Sequence, residues 1–159
     1  MNMRNLMTTT LAIFLLCVSA AAQQNAPPRF EDYPAPKFSG KPAAVKIIGP
    51  KARKYRTGLR ENARGGPDFA GHYTIAAFGC GTGCISPLAI IDAKSGDVYF
   101  PPSVATISSL PDDDTEEIIQ SREDSRLLIV TGEVNEKKGK YYFEWVNNRL
   151  KLIRAIPKE

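Results

Sequence analysis

The apolar positions change their period along the chain. Leu11–Val18 is an unbroken apolar run, and Gln23–Pro42 shows almost no apolar periodicity. Between Pro50 and Arg64, Ala52, Tyr55, Leu59 and Ala63 recur at intervals of three and four. That spacing puts them on one face of a helix. Pro50 suits a first helical turn, where its missing N–H costs nothing, and Gly65-Gly66-Pro67 is a stop signal. Gly58 weakens such a helix by about 1 kcal/mol relative to Ala. Lys51, Arg53, Lys54, Arg56, Arg60 and Arg64 fall mostly on the other faces, so the helix is amphipathic and basic.

Beyond Gly66 short apolar runs alternate with turn signals. Tyr73–Phe78, Leu88–Asp92, Asp97–Phe100, Glu117–Ser121, Arg126–Glu133, Lys140–Val146 and Arg149–Ile156 read as strands, with Ala44–Ile48 as a short candidate before the helix. Ala93–Gly96 and Asn147-Asn148 read as hairpin turns, because Gly and Asn accept positive φ. Tyr141, Phe143 and Trp145 alternate along one strand and share a core face, with Tyr142 and Glu144 on the other. Local connections between successive strands favour a meander. The expected fold is a single α+β domain: an antiparallel meander sheet of six or seven short strands, open to strong curl, with one amphipathic helix.

The start of the chain is of another kind. Arg4, the apolar run and Ser19-Ala20-Ala21-Ala22 have the order of a signal peptide, residues 1–22, cleaved near Ala22. The run is too short for a membrane span, which needs about 20 residues. Cys17 follows Leu16, not the small residue that normally precedes a lipid-modified cysteine. The expected location is therefore periplasmic or secreted. Residues 23–42 hold Pro27, Pro28, Pro34, Pro36 and Pro42 and read as an extended lead-in, draped on the domain through Phe30, Tyr33 and Phe38. Residues 43–159 form the domain.

Charge narrows the partners. Without Arg4 the mature chain has 20 basic and 17 acidic residues, too even a balance for nucleic acid. The distribution is uneven, with ten basic and three acidic residues in Arg29–Arg64 and five acids in Asp112–Glu117. Such a field steers a charged partner. The acidic run lacks the spaced oxygens and central Gly of a calcium loop and reads as solvated. The basic face, Arg53, Arg56 and Arg60, suits solvent or an anionic glycan or lipid.

The stretch Gly65–Tyr73 and the run Gly79-Cys80-Gly81-Thr82-Gly83-Cys84 are the most distinctive. Four residues of extended chain span about 13 Å, whereas a disulfide needs Cα atoms within about 7 Å. The chain must fold back, which Gly79, Gly81 and Gly83 make sterically cheap. Export supplies the oxidising compartment. A Cys80–Cys84 disulfide follows. Two readings compete: a metal held by Cys80, Cys84 and His72, or thiol exchange, for which the Cys-x-x-Cys spacing is missing. The alternating glycines could also form an anion nest. His72, the only histidine, is either a general base or a loop-ordering imidazole. No Gly-x-Ser-x-Gly supplies a nucleophile.

Gly66-Pro67-Asp68-Phe69-Ala70-Gly71-His72-Tyr73 with Gly79–Cys84 resembles a group of small exported proteins of Gram-negative bacteria. The similarity runs from about Asp32 to the C-terminus and includes Tyr55-Arg56-Thr57 and the hairpin from Ile91-Asp92 to Gly96. It implies location and domain extent but no reaction, and assigns no catalytic residue. The expected function is an exported binding module for another protein, of inhibitor or immunity type. The alternative is an enzyme or metal-binding protein centred on His72 and the Cys80/Cys84 loop. Gly71, His72, Tyr73, Gly79, Gly81, Thr82 and Gly83 are the candidate functional positions, with no cofactor, metal or catalytic residue assigned.

Overall fold

A computed structural model describes residues 26–109 and 117–158. The expected leader, with its expected cleavage near Ala22, and residues 112–116 of the acidic run lie outside the described residues.

The expected helix is present in two pieces, α1 (Gly49–Lys54) and α2 (Arg56–Arg64). They are separated by Tyr55, whose φ of −102° and ψ of 14° leave the helical region. The break does not disturb the inward face. Ala52 and Leu59 are buried, and the Tyr55 ring packs on Phe78 with 4.7 Å between centroids.

Eight strands follow among the described residues: β1 (Tyr73–Gly81), β2 (Cys84–Asp92), β3 (Val98–Tyr99), β4 (Ile107–Ser108), β5 (Ile119–Gln120), β6 (Leu127–Val134), β7 (Lys137–Val146) and β8 (Arg149–Pro157). All pairings are antiparallel, in the order β1-β2-β4-β6-β7-β8, with β3 beside β2 and β5 beside β6. This is the expected α+β domain with one more strand. Residues 44–48 are not a strand: Ala43 and Lys46 donate to the carbonyls of Ala93 and Gly96 in isolated bonds, while Val45 and Ile47 pack inward. Asn147 and Asn148 take φ of 50° and 58°, as expected for their turn.

The sheet consists of two wide halves with a narrow join. β2 and β6 are linked through the two-residue β4, where Ile107 and Ser108 pair with Ile85 and Cys84 on one side and Val134 and Glu133 on the other. Gly132 makes this close approach feasible. Its φ is +143°, and a Cβ there would strike the Ser108 carbonyl oxygen. The halves curl around one core, in which Leu88 and Ile90 of β2 meet Leu128 and Val130 of β6 and Phe143 and Trp145 of β7.

Each half is also covered on its outer face. Ala76, Ala89 and Ile91 lie under Ala52 and Leu59 of the helix pair. Leu127, Ile129 and Tyr142 lie under Phe30 and Tyr33 of the lead-in. The lead-in is tied down by backbone bonds from Ala35 to Asp124, from Arg126 to Tyr33 and from Phe38 to Gly71, each 2.8 Å. Among the described residues no helix is long and apolar enough to cross a membrane.

Candidate functional site

The Gly66–Tyr73 stretch is a closed turn feeding β1. The N–H groups of Asp68 and Phe69 both donate to the Tyr73 carbonyl, and the Tyr73 N–H returns to Phe69. The Ile75 N–H donates to the Asp68 carboxylate at 2.9 Å, and the Thr74 hydroxyl to the Gly66 carbonyl at 2.8 Å. Burial raises the Asp68 carboxyl above its ordinary pKa, opposed by backbone hydrogen bonds to it. Gly71, at φ +84°, runs so close to the lead-in that a Cβ would meet the Pro36 carbonyl oxygen. Phe69 is fully buried in the core.

The His72 ring is the part of the motif that these contacts leave over. It packs tilted against Tyr73, with 4.2 Å between centroids, and its side chain is about a fifth exposed (21%). Nε2 lies 3.8 Å from Asp92 Oδ1, beyond hydrogen-bond range. The Asp92 carboxylate is already occupied: it accepts from the Lys94 and Ser95 N–H groups and the Ser95 hydroxyl, holding the β2–β3 turn. Burial, then Lys94, lowers the His72 pKa from 6.5, and Asp92 works the other way. Burial and Lys94 both favour the neutral imidazole.

His72 stands on a cleft of about 430 Å3, between Pro36 of the lead-in and the β7–β8 turn, with Tyr73, Lys94, Arg126 and Trp145 among its walls. The Tyr73 hydroxyl donates to Asn148 Oδ1 at 3.0 Å. The indole N–H of Trp145 is buried and meets no acceptor at hydrogen-bond geometry among the described residues. It still lies near enough to the Tyr73 oxygen to oppose the rise in Tyr73 pKa that burial causes. Among the described residues no serine, threonine or cysteine lines this cleft. Its groups can hold a polar or anionic ligand; they do not assemble a nucleophile beside a base.

The second half of the motif is elsewhere. Tyr73 pairs with Asp92 at one end of the β1–β2 hairpin, and Gly81 pairs with Cys84 at the other. Eight residues of strand separate the two ends, about 26 Å at the usual rise. Cys80 and Cys84 form the expected disulfide, with Cα atoms 5.2 Å apart, where Gly81 and Gly83 take φ of +141° and +66°. A ring this short stabilises by about 2 kcal/mol in the chain-entropy account. Gly79, Gly81 and Thr82 are exposed at this tip. The single centre of His72, Cys80 and Cys84 does not form. Both sulfurs are consumed in the disulfide, and the extended strand carries the histidine to the far end. Among the described residues no group of three or more His, Cys, Asp and Glu is placed to hold a metal.

Arg53, Arg56 and Arg60 are exposed on the helix pair, as expected, and none forms an ion pair with a described residue. One surface was not anticipated. Of the large hydrophobics exposed among the described residues, Leu152 (51%), Ile153 (37%) and Ile156 (38%) all lie on β8, which has β7 as its one partner. The signal was present, since Leu150, Leu152, Ile153 and Ile156 occupy both parities of a strand at the end of a meander. No protein-family model, curated protein or solved structure matches the chain.

Proposed function

We propose that this chain is an exported, disulfide-containing binding module that captures an extended segment of another protein along β8, in the manner of an inhibitor or immunity-type protein. The leader pattern and the resemblance to small exported Gram-negative proteins support location in the periplasm or outside the cell. The observation that carries the protein partner is the clustering of exposed Leu152, Ile153 and Ile156 on one edge strand. An edge strand offers a row of unpaired backbone groups to an added strand, and the apolar side chains supply contact area beside them. β8 carries Arg149, Lys151 and Arg154 and no acid, so a complementary segment is acidic. The same cations, with the irregular register opposite Tyr142 and Phe143, oppose pairing of β8 with its own copy.

The test uses the full chain with its leader, carrying a photo-cross-linking side chain at Leu152 or Ile156, with Arg56 as the comparison position. A discrete protein adduct from the β8 positions and none from Arg56 is the expected result; equal or absent adducts at β8 overturn the docking edge. The recovered protein should begin near Gln23 and weigh two hydrogens less than the reduced chain. A product that keeps its leader and stays in the cytoplasm removes the export part of the reading.

A further inference from the structure

A different surface points to a second kind of contact. Arg56, Arg60 and Arg64 follow one another at four-residue intervals along α2, so they form a row down one side of the helix. All three are exposed, and Lys51, Arg53 and Lys54 continue the charge onto α1. Residues 49–64 contain six basic residues and one acid, Glu61. Like charges at this spacing weaken a helix, so the row does not serve α2 itself. Its charge is not spent inside the protein either: Arg56, Arg60 and Arg64 form no ion pair with a described residue. Arg60 and Arg64 also wall a groove of about 390 Å3 against residues 42–45, a size within the range of small-ligand sites. At the start of α1 stands Ile48, 74% exposed, while its neighbour Ile47 packs into the core under the helix.

We infer that this helix pair docks the protein on an anionic phospholipid bilayer, with the arginines on the phosphates, a headgroup in the Arg60–Arg64 groove and Ile48 entering the interface. Cations attract such a surface, and an exposed apolar side chain at the start of α1 adds insertion. Ile48 favours a bilayer over a sulfated or phosphorylated glycan, which has no apolar phase to receive it. The docking is independent of β8.

The experiment is co-sedimentation of the mature, oxidised protein with vesicles of phosphatidylethanolamine containing phosphatidylglycerol, against vesicles of phosphatidylcholine. Heparin–agarose serves as the glycan arm. Binding to the anionic vesicles alone is expected, and it weakens from about 0.1 M to about 1 M salt as the screening length falls from about 10 Å to about 3 Å. Each cation near the surface contributes roughly a fivefold factor. Replacing Arg56, Arg60 and Arg64 together by Gln is therefore expected to cost about a hundredfold in partitioning. Ile48→Ser should cost about tenfold, from the lost burial of one large aliphatic side chain. Since every changed residue is exposed, unaltered circular dichroism and melting show that folding is not the cause, and the triple Arg→Lys variant should retain binding. Wild-type affinity in the triple Gln variant overturns the proposal, as does equal binding to zwitterionic vesicles. Retention on heparin with no vesicle binding, or with Ile48→Ser indistinguishable from wild type, replaces the bilayer by a glycan.

Discussion

The two halves of the sheet solve one problem differently. Each has an outer apolar face that must be kept from water. Over β1 and β2 the cover is a helix, which satisfies its own backbone and is about 10 Å thick. The sheet residues beneath it are small, with Ala76 and Ala89 beside Ile91, so that α2 can come close. Over β6 and β7 the cover is the lead-in, which is thinner and is not extended throughout, since Phe30–Asp32 form a single 3-10 turn; the sheet side chains beneath it are large: Leu127, Ile129 and Tyr142. That turn closes two backbone bonds of its own, from Asp32 to Arg29 and from Tyr33 to Phe30, and the rest of the segment bonds to the domain. The Ser125 hydroxyl reaches the carbonyls of Phe30 and Tyr33 at 2.8 and 3.1 Å and also accepts from the Leu127 N–H. The helix is held by apolar burial; the strap depends on polar bonds made at a few points.

That contrast can be broken by mutation. Leu59 is fully buried beneath the helix, and Leu59→Ala is expected to lower unfolding stability by about 2–5 kcal/mol, read from denaturant midpoints. A loss below about 1 kcal/mol would mean that the face under α2 closes without it. On the other half, Ser125→Ala removes the seam hydroxyl and leaves the Leu127 N–H without its side-chain acceptor, while the Phe30 and Tyr33 carbonyls keep the N–H groups of Tyr33 and Arg126; the expected cost is about 1–3 kcal/mol. Limited proteolysis should then release the chain near Phe30 before β6 or β7 is cut. Cleavage in the strands first would mean that the strap is held by Phe30 and Tyr33 and not by Ser125. If Ser125→Ala costs more than Leu59→Ala, the contrast between the two covers is reversed.

Much of this arrangement was legible because it is local. The inward row Ala52, Tyr55, Leu59 and Ala63 needs helical spacing alone, and the alternation of Tyr141, Phe143 and Trp145 needs strand spacing alone. Asn147-Asn148 declares its turn through the φ it tolerates. Ile107–Ser108 is too short to show a period; it is a strand because β2 and β6, far apart in the chain, meet there, whereas Ile119–Gln120 falls inside the expected Glu117–Ser121 strand. Val45 and Ile47 alternate like a strand but have no strand to pair with. The site divides in the same way. The disulfide follows from four-residue spacing and three glycines, whereas a motif that looks contiguous on paper was stretched by β1 until its histidine and its cysteines stood at opposite ends. The apolar edge of β8 is signalled by Leu150, Leu152, Ile153 and Ile156 on both parities of the last strand of the meander, but their exposure depends on how many neighbours that strand has, which periodicity alone does not report.

The smallest predicted effect tests whether the strap and the His72 cleft belong together. Burial, then Lys94, lowers the His72 pKa from 6.5, with Asp92 partly offsetting both. The unfolded chain therefore binds a proton at a higher pH than the folded one. Stability from this group is fully present above about 6.5 and is lost as the pH falls through the depressed folded value. As the only histidine, His72 is the one side chain whose ordinary pKa falls in that window. His72→Gln should flatten the slope of melting temperature against pH just below 6.5 and leave the carboxylate-driven decline at lower pH in place. An unchanged slope would assign it to another group. Pro36, on the strap, forms the opposite wall of the cleft, and Phe38 bonds to Gly71 beside the histidine. If the strap supplies the burial, Ser125→Ala should move the His72 proton NMR titration back towards 6.5 although the two side chains share no bond. A titration identical to wild type would separate the strap from the cleft and leave Lys94 as the charge that keeps the imidazole neutral.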